Sequence, residues 1–289
     1  MHADIHLPPS APTPSARAAA LQALMTCDPI EKAARARALF AELDEATIDP
    51  NEHLEAPADL PGRPVRPRLV PPKTVPTRSP FTPEGRAALL HAVTHIEFNA
   101  INLALDAVWR FDAMPVAYYR DWLRVAAEEA LHFTLLREHL VSLGFDYGDF
   151  DAHDGLWAMT ARTSHDATAR MALVPRTLEA RGLDATPPMQ AKLRQAGDLR
   201  AAEILGVILH DEVGHVAIGN HWYRWLCARD GIDPVALYPQ LAAKYGAPRL
   251  RPPFNDAARL AAGFTAEEIA ALSASAPAPS AASAPTAAP

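Results

Sequence analysis

An all-α fold is what this sequence predicts, on three observations. Glycine is scarce, at 13 of 289 residues, while hydrophobic residues make up 49% and can supply a sizeable core. Apolar residues recur at helical spacing over long stretches. The alternating runs of β-branched residues that mark strands are absent.

Residues 1–59 form an N-terminal segment with two short helical patterns, Ala18–Met25 and Pro29–Leu43. Asp28 caps the second, and Pro29 occupies its first helical position. Residues 60–82 form a basic, proline-rich arm that carries Arg63, Arg66, Arg68, Lys73 and Arg78 and no acid. It reads as an extended arm wrapped on an acidic body, and otherwise as a contact for a polyanion such as RNA. Residues 83–231 hold four long helices, A to D, that should pack as a bundle. Helix A starts at Thr82-Pro83-Glu84 and runs to about Phe111, and helix B runs from Pro115 to the Gly144 stop. A turn-rich connection, Asp146–Asp154, should be the long crossover of such a bundle. Helix C is expected over Gly155–Arg181 with a kink at Pro175, a short segment Pro187–Gln195 follows, and helix D spans Asp198–Arg229. Residues 232–273 add helical patterns at Pro234–Tyr245 and Ala266–Ser273. The tail, residues 274–289, contains only Ala, Pro, Ser and Thr and should be disordered.

Chemistry enters on helices A to D. Glu129 and His132 form one Glu-x-x-His, and Glu212 and His215 form another. Each is preceded by a glutamate one helix earlier: Glu97 lies 32 residues before Glu129, and Glu179 lies 33 before Glu212. These acids interrupt apolar stripes. Leu90, Val93, Ile101 and Val108 flank Glu97; Trp122, Val125 and Leu136 flank Glu129; Leu205, Ile208 and Val216 flank Glu212. A buried carboxylate must be protonated, paired or metal-bound, and no basic residue shares these stripes. Four carboxylates and two imidazoles facing one interior are the ligand set of a ferritin-like dimetal site. The expected fold is therefore a ferritin-like four-helix bundle with a long crossover, extra terminal helices and the proline-rich arm. Glu179 is the least secure ligand, because Gly182 follows closely and would end helix C, and Asp166 is its runner-up. Glu128 and Asp211, directly before the two motifs, are candidates to orient the histidines, with plain solvation of Glu128 weighing equally. His91, His95, His165, His210 and His221 read as ordinary surface or core histidines; Phe133, Trp122 and Tyr223 read as core, with pocket lining the lesser alternative.

The stretches EEALH, LVPRTLEARGLD, AHDGLWAMTART and HDEVGHVAIG, with flanking PGRPVRPRLVPPK and RPPFNDAA, resemble the bacterial ferritin-like family catalogued as domain of unknown function 455. The resemblance covers nearly the whole chain except its two ends, and that family brings no assigned reaction. More distantly, LEARGLD and DEVGH are similar to the helix C and D ligand motifs of the non-haem diiron tRNA 2-methylthio-N6-isopentenyladenosine hydroxylase. That likeness implies Glu179 over Asp166, and hydroxylation. The chain departs from it at Gly182-Leu183-Asp184, where the enzyme has Cys-Glu-Arg, so a tRNA substrate is not implied.

The leading expectation is an O2-dependent diiron hydroxylase or oxidase with two iron ions, manganese or a manganese–iron pair suiting the same ligands. It would act on a small molecule or modified nucleoside and draw on an external electron donor. The alternatives are an iron-handling ferroxidase or storage protein, and an RNA-associated module with a structural metal contacting RNA through Arg63, Arg66 and Arg68. A net charge of −7 disfavours the last. The two cysteines, Cys27 and Cys227, make no metal or disulfide framework, and neither a signal peptide nor a membrane span is visible, so a cytoplasmic protein is expected.

Overall fold

The computed structural model describes residues 14–274, so the expected disorder of residues 275–289 lies outside the described residues. Among these residues the protein is all-α, with a single isolated parallel bridge between Leu69 and Ala152 and no strand. No helix among them is long and apolar enough to cross a membrane. The chain divides into two compact units. The first comprises residues up to 78 with 83–154, and the second comprises 79–82 with the residues from 155 onward.

In the first unit, α1 (Ala16–Met25) and α2 (Pro29–Ala41) precede the arm, α3 (Pro83–Arg110) and α4 (Val116–Ser142). Asp28 caps α2 by accepting from the Ile30 and Glu31 amides. Helices α3 and α4 are joined by residues 111–115 and pack along each other. Glu97 lies 13 residues before the end of α3 and Glu129 lies 13 after the start of α4, so both sit at one level. Helix α4 stops at Gly144, whose φ of +85° is left-handed, while the Phe145 amide returns to the Leu140 carbonyl. The arm carries only a 3-10 turn, Pro72–Thr74, and three of its five cations meet acids of the same unit. Arg63 pairs with Asp154 at 2.7 Å, Arg68 with Asp151 at 2.5 Å, and Arg78 with Glu84 at 3.3 Å. Lys32 of α2 is buried, donating to the Gly62 carbonyl at 2.7 Å and to Asn102 Oδ1 at 2.5 Å. Burial, and then nearby Arg63, lowers its ammonium to about 7, with Cys27 opposing.

In the second unit, the expected single helix C gives way to α5 (Gly155–Arg162), α6 (Ala167–Leu173), a π-helical turn (Val174–Glu179) and α7 (Ala180–Gln195). This corrects the sequence reading twice. The helix breaks at residues 163–166, where Asp166 accepts from the Ala169 amide as a new N-cap. It then continues past Arg181, through Pro187 and Pro188, to Gln195. Proline in a helix interior removes a donor to the carbonyl four residues back. For Pro187 that carbonyl is Leu183, which instead receives Asn255 Nδ2 at 3.1 Å. Helix α8 (Leu199–Arg229) follows after a short turn and packs along α7; α9 (Pro234–Tyr245), α10 (Asp256–Ala261) and α11 (Ala266–Ala274) complete the unit. α10, absent from the sequence reading, supplies Arg259, whose guanidinium meets Asp184 of α7 at 2.6 Å.

The π turn has a packing partner. A Cβ at Gly219 of α8 would lie 2.5 Å from Pro175 Cβ, so only glycine admits the turn this close. Alanine normally stabilises a helix interior by about 1 kcal/mol over glycine. Gly219→Ala should instead cost about 1–3 kcal/mol in urea unfolding, as overpacking does. A neutral or stabilising result would mean that the turn slides freely.

Candidate metal centre

In the first unit, the middle of α3 presents Glu97 and the middle of α4 presents Glu129 and His132, all three buried. The Glu-x-x-His spacing puts Glu129 and His132 about one helical turn apart on the same face. The neighbouring helix then brings Glu97 alongside. His132 Nδ1 is 3.2 Å from Glu97 Oε2 and 3.2 Å from Glu129 Oε2, and the three donor atoms lie within 4.8 Å of one another. Donors roughly 2.1 Å from a transition metal stand about 3 Å apart on adjacent vertices. The observed spacings are of that size, and two oxygens with one imidazole nitrogen suit a borderline divalent ion. Glu97, Glu129 and His132 could therefore hold a metal ion.

Two buried acids at this distance cannot both ionise cheaply without a cation. Burial first, and then Glu129 beside it, push the Glu97 carboxyl up to about 8, with His132 opposing. Metal binding must then displace a proton, so affinity rises with pH up to this value.

In the second unit, Glu212 and His215 are buried on α8 and offer ligand atoms within 4.8 Å of each other. Glu179 is also buried, as the last residue of the π turn, but it does not bring an oxygen into a common set of that size with Glu212 and His215. An extra residue in a helical turn re-aims every side chain after it, and such turns concentrate at functional sites. The continuation of the helix to Gln195 resolves the positional problem posed by Gly182. Glu179 lies 16 residues before the end of α7, and Glu212 lies 13 after the start of α8. Asp166, the alternative ligand, is committed to capping α6 and accepts from the Tyr245 hydroxyl at 3.1 Å.

Glu128 and Asp211 are half-buried beside their motifs. His210 is exposed, His221 lies edge-on to Trp222, and His165 meets the Tyr245 hydroxyl at 3.2 Å. Trp122 packs on Tyr118, and Tyr223 donates to the Pro234 carbonyl at 2.7 Å, both core roles. His91 and His95 are buried, as the core reading expects. They line a cluster with the buried Phe98 and Phe133 and the half-buried Tyr147, and burial lowers His91 to about 4 and His95 to about 3. Their spacing of four residues was the available sequence signal; Tyr147, in an irregular connection, gave none.

Comparison with known proteins agrees with the extent of the resemblance seen in the sequence. An uncharacterized protein of Haemophilus influenzae is 48% identical over 264 residues, covering 86% of this chain and 90% of that protein. No solved structure matches the chain. The model of the DUF455 family, described as a protein of unknown function, matches residues 25–270. With most of its length and both Glu-x-x-His motifs inside that match, the chain belongs to the DUF455 family.

Proposed function

We propose that this chain is a ferritin-like dimetal carboxylate protein that uses two iron ions and O2 to hydroxylate or oxidise an organic substrate. The buried Glu97–Glu129–His132 cluster is the observation that supports it most directly. One ion would be held by Glu97, Glu129 and His132, the other by Glu179, Glu212 and His215. Two iron ions bound together supply two electrons to O2 in one encounter. The chain's own residues do the rest. Burial keeps water from the ligands, Glu97 carries the proton that metal entry displaces, and Glu128 and Asp211 are placed to fix the histidine tautomers. The pairing of arm arginines with Asp154 and Asp151 favours an arm bound to its own unit over one reserved for RNA.

Elemental analysis after expression in iron-replete medium should find about two iron ions per chain, the number of half-sites in the dimetal template. The Glu129→Ala/Glu212→Ala double variant should lose them. Mössbauer spectra should show antiferromagnetic coupling, which requires carboxylate-bridged neighbours. Uncoupled iron would replace the dinuclear reading with two separate sites. No transition metal after anaerobic Fe(II) loading would reduce the six residues to a buried polar network. Many iron ions per chain in a large closed assembly would favour storage.

A further inference from the structure

Tyr147 lies in the connection after α4, and its hydroxyl meets His95 Nδ1 at 2.8 Å. Its ring centroid is 5.2 Å from Phe133 and 5.5 Å from Phe98. These phenylalanines directly follow His132 and Glu97 in the sequence, so each ring that Tyr147 touches is one residue along the chain from a candidate ligand. The His91 ring stacks on the other side, at 5.4 Å and 23°. Tyr245 also meets an imidazole, His165 Nε2 at 3.2 Å, but donates to the Asp166 carboxylate at 3.1 Å, and two further tyrosines donate to carbonyls. Tyr119 donates to the Phe111 carbonyl and Tyr223 to the Pro234 carbonyl, and a carbonyl cannot take over a phenolic proton. An imidazole can.

We propose that Tyr147 is a redox-active tyrosine, with His95 as its proton acceptor, donating one electron toward the metal centre after O2 has oxidised it. The inference rests on the metal-site reading above. In the step the Tyr147 O–H bond breaks. The proton forms an N–H bond at His95 Nδ1, and the electron passes through the Phe98 and Phe133 layer to reduce the metal centre by one equivalent. A neutral tyrosyl radical and a protonated imidazole remain. An external one-electron reductant, with the proton held on His95, restores the phenol. Asn99 Nδ2 stands 3.0 Å from His95 Nε2 and Asn99 Oδ1 has no partner; a half-turn of the amide exchanges the two and brings Oδ1 to the ring. Oδ1 can then accept the Nε2–H that the ring carries while Tyr147 donates to Nδ1, and so holds the ring in register.

The test is freeze-quench EPR on the full chain, loaded anaerobically with Fe(II) and mixed with O2, beside Tyr147→Phe and His95→Gln. The wild type should give an organic-radical signal whose hyperfine splitting collapses when tyrosine is ring-deuterated. Tyr147→Phe keeps the packed ring and should take up and oxidise iron normally without the radical. His95→Gln should lower the radical yield by about 10-fold or more, the scale of losing a positioned proton acceptor. Normal iron uptake and oxidation with no radical at any quench time, or a radical that survives Tyr147→Phe, overturns the inference and leaves the metal site standing. Failure of the wild type to bind iron overturns both.

Discussion

Glu97→Gln should make the metal-free protein more stable while costing it metal at the Glu97–Glu129–His132 cluster. In the metal-free fold, burial and Glu129 push the Glu97 carboxyl up to about 8, from an ordinary value of 4.5. Between those values the folded chain keeps a proton that the unfolded chain has lost, so stability falls as pH rises from about 4.5 to about 8. Glutamine has no charge to bury. The gap between variant and wild type should open above pH 4.5, widen to about 8 and then stay flat. Its size should be on the order of a few kcal/mol, the scale of an uncompensated buried charge. Urea titrations of metal-free protein across this range measure it. Metal affinity should fall roughly 100-fold or more, since a ligand matters at least as much as the groups that orient it. Equal pH profiles for the two proteins would show that Glu97 is not buried beside a like charge. Proton release on metal loading of the wild type, diminished in the variant, is the companion measurement.

The Glu97–Glu129–His132 cluster was legible because its helices announce themselves. Thr82-Pro83-Glu84 and Gly144 mark the outer ends of α3 and α4, and Glu97 and Glu129 each break an unmixed apolar stripe. The helices that carry Glu179, Glu212 and His215 were only partly legible, for a physical reason that sits elsewhere in the chain. Pro187 and Pro188 carry a strong local instruction to end a helix, and α7 overrides it because Asn255 serves the Leu183 carbonyl and Arg259 clasps Asp184. Those partners lie about 70 residues downstream, beyond any window that reads periodicity. The π turn was foreshadowed only as a kink at Pro175; the glycine that accommodates it, Gly219, belongs to another helix. Tyr147 and Lys32 went unread because neither breaks a pattern. One lies where no period exists, and the other resembles any lysine on a surface helix until Gly62 and Asn102 close over it.

Arg17→Ala should be the most destabilising of the single substitutions considered, although it touches no ligand. Arg17 on α1 is 1% exposed, and it satisfies a helix end rather than an acid. Its NH2 donates to the Trp109 carbonyl at 2.8 Å and its Nε to Val108 at 3.3 Å, both in the last turn of α3. Its NH1 donates to the carbonyls of Glu52 at 2.6 Å and Asp49 at 3.2 Å. One guanidinium thus serves orphan carbonyls at the C-terminus of the Glu97 helix, where a cation also meets the negative end of the helix dipole. Alanine would leave those carbonyls buried without donors and open a cavity the size of the side chain. The expected loss is about 3–5 kcal/mol, the scale of breaking a buried charged network. Thermal unfolding should fall by roughly 10 °C for a chain of this size. Arg17→Lys should recover little, since an ammonium cannot reach both the α3 end and the segment at residues 49–52 with one point charge. The folded fraction of either variant should still bind metal with wild-type stoichiometry, because Glu97 lies 13 residues from the end of α3. If metal were lost in proportion to nothing but the Arg17 change, with stability intact, Arg17 would have to act on the ligand helix by displacing it rather than by holding its end.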